Sequence, residues 1–394
     1  MMRVEWPADE RAAAVWERLR CAAPTEGLFL TPEWLQTWCQ HLGTGQPLLF
    51  AVEDAGEVIA LAPIERAWVG GMAVLRPLGL GVSDYFDVLL PPDSDRREAA
   101  LATLADGLMQ RSGAWDALDL RGFPAESATV GELVDAAAAR GMRHAVLTGY
   151  TRPGIVLDGT WDDYLKTRPG RFRYNLRSRL RRLGEQGAVE FRTATRPSEV
   201  RRALAILTAL HARRWHGQHT ATIFSSSASA RRFYADACAK YAARGLLDLT
   251  LLEVGGRAIA GSLGFIDRDT YYYYVPAWEP SLAALAPSTL LLSHLVQRAY
   301  SLGLKRFDFM LGDETYKARW ASEDRETVNV VVGAPTLRGQ AAFAALVGAQ
   351  KARRRARSSP LLQRARRHWL GRARTLLSRT AVPSQAGEPA GPAE

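Results

Sequence analysis

Asp308, Asp313, Glu314, Tyr316 and Lys317 crowd into one ten-residue segment, with Gly312 just beyond a strand candidate, 305–309. Carboxylates, a phenol and an ammonium on one loop can take protons from a reacting group and return them. A strand ends immediately before them, and the carboxyl edge of a sheet is where open α/β folds take ligands. The same residues also read as a loop laced with surface ion pairs. Asp308 stands between Phe307 and Phe309, so strand alternation sets it opposite two aromatics. In a purely structural role its partner would be a nearby arginine such as Arg306.

Two further groups could meet an anion. Residues 171–182 carry six Arg and no acid. Phe172, Leu176, Leu180 and Leu183 form the apolar stripe of a helix, which leaves Arg173, Arg177 and Arg181 stacked at i, i+4. Three repelling guanidiniums destabilise a helix unless a negative charge answers them. Either a substrate phosphate or carboxylate does so, or acids from elsewhere in the chain. On another helix, His211 has Arg214 and Trp215 within about a turn, although a lone helical His is more often structural. Pro287-Ser288-Thr289 opens a third helix, whose N–H groups and dipole suit a phosphate; a plain Ser or Thr cap fits equally. No metal is expected. The seven His show no H-E-x-x-H pattern, and Walker, nucleophile-elbow and Rossmann signatures are absent.

These groups need elements to position them. Helical and strand periods alternate along the chain, which predicts an α/β class. In the second half the spacing predicts strand 189–193, helices 199–215 and 228–243, and strands 247–254, 257–266 and 270–275. Helix 288–302 and strands 305–309 and 327–332 complete it. Gly255-Gly256 between two β-rich runs is a two-residue hairpin turn. The first half repeats this faintly: 53–60 (EDAGEVIA) matches 253–260 (EVGGRAIA) at an offset of 200. A helix at 32–41 and the run Leu118-Asp119-Leu120, a counterpart of Phe307-Asp308-Phe309, support an internal duplication. The lobe boundary is expected near 150–158, at a Pro153-Gly154 turn.

The segment from Phe307 to Trp320 resembles the DF-x-x-G-x-x-x-YK-x-x-W signature of a branch of the GNAT acyltransferases, the CelD-like (cellulose-biosynthesis-type) acetyltransferases. That branch is similar to the Fem-type transferases, which have two GNAT lobes. Leu210-His211-x-x-Arg214-Trp215, Phe29-x-Thr31-Pro32-Glu33-Trp34-Leu35 and Ser83-Asp84-Tyr85-x-Asp87 agree with it, so that the resemblance spans roughly residues 25–335. It implies an α/β fold of two tandem GNAT-like lobes, each a mixed sheet flanked by helices; beyond it, the charge and spacing of the C-terminal residues predict a basic helical tail. The expected divisions are 1–152, 153–335, 336–380 for the tail and 381–394 as disordered.

The resemblance further implies N-acyl transfer from acyl-CoA, or an acyl-carrier-protein thioester, to an amine of a lipid, sugar or amino-acid conjugate. A carboxylate would serve as base, a tyrosine would protonate the departing thiolate, and a backbone N–H or cation would hold the oxyanion. Asp308, Asp313, Glu314, Tyr316 and Lys317 are the catalytic candidates. Arg173, Arg177, Arg181, His211, Arg214, Trp215 and Tyr274, one of the Tyr271–Tyr274 run, are expected at the substrates, and Ser288 and Thr289 at the cofactor. The usual pyrophosphate loop, R/Q-x-x-G-x-G/A, is absent between Val275 and Ser288. Two alternatives stay open: a Fem-type transferase that draws on aminoacyl-tRNA, and a non-catalytic binding module.

The charge is informative once located. Of the net +10, residues 336–380 hold 11 Arg and one Lys with no acid, which leaves 39 bases and 39 acids in residues 1–335. Leu361, Leu362, Ala365, Trp369, Leu370, Ala373, Leu376 and Leu377 share one helical face, with most of the arginines off it. That pattern suits an anionic membrane surface, or a helix docked on the body. Cys21, Cys39 and Cys238 have no C-x-x-C spacing, which excludes a disulfide framework. With no apolar run of membrane-spanning length and no leader-like start, the expected location is the cytoplasm, at the inner face of the membrane if the tail binds it.

Overall fold

The computed structural model describes residues 2–4, 10–22, 27–215 and 227–358. Twelve strands form one continuous mixed sheet: β1 (Met2–Val4), β2 (Gln46–Asp54), β3 (Glu57–Val69), β4 (Met72–Pro77), β5 (Ala117–Pro124), β6 (His144–Val156), β7 (Val189–Thr193), β8 (Leu247–Val254), β9 (Arg257–Asp267), β10 (Thr270–Trp278), β11 (Arg306–Asp308) and β12 (Glu323–Gly333). The helices are α1 (Glu10–Ala22), α2 (Pro32–His41), α3 (Ser94–Gln110), α4 (Ala128–Ala138), α5 (Trp161–Thr167), α6 (Gly170–Gly184), α7 (Pro197–Trp215), α8 (Ala228–Ala243), α9 (Pro287–Ser301), α10 (Thr315–Ala318) and α11 (Leu337–Ser358).

The duplication is visible in detail. Ala55-Gly56 turns with φ of 50° and 81°, and Gly255-Gly256 with 55° and 79°. Positive φ at both central residues is what a tight hairpin turn of this hand requires. Just before each turn the register slips, between Val52 and Glu53 in one hairpin and between Leu252 and Glu253 in the other. The offset of 200 therefore carries the turn and the bulge along with the residues. Each half also contains one parallel pair, β4 with β5 and β10 with β11. A parallel pair needs a crossover, and α3 and α9 lie in those two connections.

Between the halves the terminal strands are exchanged. The sheet order is β1-β2-β3-β4-β5-β12-β6-β11-β10-β9-β8-β7. From either edge the first five strands belong to one half, and the sixth comes from the other. Pro153 and Gly154, read from sequence as a turn, lie inside β6, where Gly154 pairs with Asp308 on one side and Glu323 on the other. Strand pairing on both sides keeps that segment extended, and the expected boundary at 152/153 falls within a strand. One apolar core, with Trp34, Leu118, Phe233 and Phe265, spans both halves; a second, with Ile155, Leu176, Phe307 and Trp320, belongs to the second half.

Two local expectations are corrected, and the start of the tail is placed. Leu180, assigned to the buried stripe of α6, is 44% exposed, while Leu176 and Leu183 are buried. Strand 270–275 continues to Trp278 because β9 pairs with it throughout. The 336–358 part of the tail is helical and docks on the body through Ala342 and Phe343, with Arg143 stacked on the Phe343 ring. The face predicted at 361–377 and the stretch 381–394 lie outside the described residues.

Candidate active site

The two halves interlock at the sequence motifs. Trp34, in α2, packs edge-on against Phe233 and Phe265 of the second half and donates its indole N–H to Ser83. Tyr85 donates its hydroxyl to Asp308 Oδ1 at 2.7 Å, across the seam. Asp308 Oδ1 also accepts the Met310 amide at 2.6 Å, and Oδ2 accepts from Arg152 at 3.2 Å. The Arg152 guanidinium lies over the Tyr85 ring, 3.9 Å from its centroid. Arg152, rather than Arg306, is the cation paired with Asp308; Arg306 pairs with Glu323. Met310, two residues on, has φ of 62°, a strained conformation for a residue with a side chain. Its amide is tied to Asp308, so Asp308 holds the bend at the start of the loop that leads to α10.

A cavity of about 770 Å³ lies beside this knot. The loop and α10 supply Leu311, Glu314, Tyr316 and Lys317; α7 supplies His211 and Arg214; α9 supplies Ser288 and Thr289; the first half supplies Gly81 and Asp84. Tyr273 and Tyr274 both line it, although successive strand residues should face opposite sides. They do so from opposite faces of the sheet: Tyr273 packs on Phe307 and Phe309, and Tyr274 on Trp34 and Phe265, with a bulge between Tyr273 and Val275 at that point of β10. Tyr274 donates to the Val82 carbonyl at 2.6 Å and contacts the Tyr234 hydroxyl at 3.0 Å, so it too crosses the seam.

Asp84 is the residue the sequence motif contained and the chemical reading passed over. Burial pushes its carboxyl up to about 6; Asp308 and Glu314 add to that, while the Leu311 amide and Lys317 act against it. Lys317 is buried, donates to the Leu311 carbonyl at 2.8 Å and pairs with Glu314 at 2.8 Å. Gly312 makes this possible. It has φ of 128°, and a Cβ there would stand 2.4 Å from Glu314 Oε2 and 3.1 Å from Lys317 Nζ. Burial, with Tyr273 and Glu314 adding, raises the Tyr316 phenol well above its usual range, so that it keeps its proton. His211 is pushed down to about 4, mainly by burial and then by Arg214, and is neutral at pH 7.

The start of α9 offers few amides. Pro287 has none, and the Thr289 and Leu290 amides both donate to the Ala286 carbonyl. Ser288 and the two hydroxyls remain for an anion. Arg214 adds charge: it is stacked 3.4 Å from the Trp278 ring centroid and donates to the Pro276 carbonyl, and burial lowers it only to about 10, so it stays cationic. This side-chain cation accompanies the missing glycine loop.

Other candidates lie elsewhere. Asp308 sits behind the cavity wall rather than in it, and Asp313 is exposed and outside the lining. The arginines of α6 are also outside it. Arg173 donates to the Leu165 and Lys166 carbonyls at the end of α5, Arg181 pairs with Glu185 on its own helix, and Arg177 is exposed. The Trp215 side chain lies outside the described residues. No group of acids, His and Cys suited to a metal ion occurs among the described residues.

Residues 170–318 match the family described as acetyltransferase (GNAT) domain. No curated protein sequence matches the chain. Among solved structures, FemX is similar over 84% of this chain and 97% of its own, with 14% identity and a TM-score of 0.58. The C-terminal domain of a putative lysylphosphatidylglycerol synthetase from Agrobacterium fabrum aligns over 85% of this chain and 96% of its own, with 14% identity and a TM-score of 0.53. L-PGS from Bacillus licheniformis aligns over 82% and 96%, with 14% identity and a TM-score of 0.50. The fold is thus an α/β arrangement of tandem GNAT-like lobes.

Proposed function

We propose that the protein is a thioester-dependent N-acyltransferase of the CelD-like branch. It takes an acyl group from acyl-CoA, or from an acyl-carrier-protein thioester, to an amine of a lipid, sugar or amino-acid conjugate of the cell envelope. The observation that carries this reading is the convergence of Asp84, Tyr316, Lys317, Arg214 and the α9 start on one cavity. Arg214, Ser288 and Thr289 would receive phosphates of the donor. Asp84, ionised at neutral pH, takes a proton from the acceptor ammonium so that its nitrogen can attack the thioester carbonyl. The C–N bond forms, the C–S bond breaks, Tyr316 supplies the proton the departing sulfur needs, and the second proton shed by the new amide nitrogen restores the Tyr316 phenol. Lys317, fixed by Leu311 and Glu314, provides positive charge for the carbonyl oxygen.

The likeness to FemX favours one second reading, a Fem-type transfer from aminoacyl-tRNA. Mass spectrometry of the protein incubated with acyl-CoAs and an amine panel, and separately with charged tRNA, decides. Acylated amine from acyl-CoA supports the proposal. Product from charged tRNA alone replaces it with the second reading, and no product from either donor rejects both.

A further inference from the structure

Asp84 has a second cavity on its other side. This cavity measures about 240 Å³, and Gly81, Asp84 and Leu311 wall both it and the larger one. Strands β5, β12 and β6 supply Arg121, Asn329 and Thr148 to it, and α11 supplies Gln350 and Arg353. Its walls are tied together. Gln350 donates to Asp119 at 2.8 Å and accepts from Asn329 at 2.8 Å, while Asn329 accepts the Gly122 amide at 3.1 Å. Arg121 forms a two-pronged pair with Asp119, so its charge is already answered. Of the charged groups in its lining, that leaves the Asp84 carboxylate, which accepts the Leu311 amide, and the Arg353 guanidinium on the exposed end of α11.

We propose that this cavity is the acceptor site, and that it takes a small zwitterion whose amine meets Asp84 and whose phosphate or carboxylate meets Arg353. The volume suits a molecule about the size of phosphoethanolamine, or the corresponding end of a longer conjugate. Opposite charges at its two ends are a selection rule: an amine without an anionic partner loses the Arg353 contact, and an anion without an amine loses Asp84. The larger cavity, with Arg214 and the α9 start, is left for the donor. Asp84, shared by both, is then the point at which amine and thioester meet. This assignment gives the first part of the basic C-terminal segment a role in substrate recognition. It rests on the acyl-transfer reading for the word acceptor, but binding itself does not.

The test is calorimetric titration of full-length protein with O-phosphoethanolamine, and with ethanolamine and inorganic phosphate as the two halves. Wild-type protein is expected to bind the zwitterion at least about tenfold more tightly than either half. Arg353→Ala, at an exposed position, should weaken binding about tenfold or more. Thr148→Trp, which fills the small cavity, should abolish it, and Thr289→Trp, which fills the larger one, should leave it intact. No binding by wild type, equal affinity for ethanolamine, or loss in Thr289→Trp with none in Arg353→Ala would overturn the assignment. The two readings fail separately. Binding as described without any acyl transfer rejects the acyltransferase and keeps the site, whereas transfer to amines with no such binding does the reverse.

Discussion

Asp84 and Asp308 face each other across the seam and have opposite situations. Asp308 is buried with an arginine, a tyrosine hydroxyl and an amide directed at its oxygens. Asp84 is half-buried with one amide directed at it, and desolvation pushes its carboxyl up to about 6. Because that value is raised on folding, ionising Asp84 costs stability as pH rises from the ordinary aspartate range through about 6. Asp84→Asn is therefore expected to keep or slightly raise the melting temperature at pH 7 while lowering kcat by about 10²–10⁴. In wild type, kcat/KM should rise with pH to a plateau above about 6, and the variant should lack that limb. Asp308→Asn is expected to do the reverse: leaving Arg152 buried beside a neutral amide costs about 3–5 kcal/mol, and activity falls with the fold. Melting curves and pH profiles of both variants check this, and a cold-stable Asp308→Asn protein with an unchanged melting temperature but no activity would return Asp308 to the chemistry. Sequence pointed to the loop because its residue types are dense. It could not rank Asp308 against Asp84, since which of two acids faces a cavity is decided by a partner element more than two hundred residues away.

The Gly255-Gly256 hairpin and the helices of the second half were legible because their signals are local: glycine pairs, apolar spacing and caps. The bulge in β10, beside the cavity-lining Tyr273 and Tyr274, was not, because a bulge is defined by the register of two strands. The arginine ladder of α6 was legible as a ladder, but part of its answer, Glu185, stood one turn beyond Arg181 on the same helix. Between β11 and α10, Gly312 holds Lys317 and Glu314 together. Gly312→Ala meets both a disfavoured φ and a Cβ pressed on the Glu314 carboxylate. The expected result is a stability loss of roughly 1–3 kcal/mol in urea unfolding, with a larger proportional loss of kcat as Lys317 is displaced. An unchanged kcat would remove Lys317 from the reaction. Helix α11 is docked through Phe343, so the membrane proposal concerns the chain beyond Ser358. Protein ending at Ser358 should stay in the supernatant with anionic vesicles, while the full chain should sediment with them, less so at high salt. Equal behaviour of the two would end that proposal.

At the scale of the molecule, strand exchange decides how the lobes relate. Each half contributes five strands of its own, and its sixth lies next to the fifth of the other. β12 is hydrogen-bonded to β5 along one edge and to β6 along the other, so neither half can complete its sheet without the last strand of its counterpart. The buried pair Arg20–Asp267, at 2.8 Å, and the Tyr85–Asp308 hydrogen bond add polar ties that lose their partners if the halves part. A duplication read from sequence suggests two independent folding units joined by a linker; here an edge strand left unpaired in either half would be an open template for association. The chain is thus expected to unfold as one cooperative unit despite its length, with a single calorimetric transition whose van't Hoff and calorimetric enthalpies agree. Residues 1–158 and 159–358, divided after β6, should each be insoluble or molten when expressed apart, and should recover a native circular dichroism spectrum when co-refolded. Two resolved transitions in the intact chain, or a soluble and cooperatively melting isolated half, would show that the exchanged strands contribute little and that the site between the lobes is assembled by docking rather than by folding.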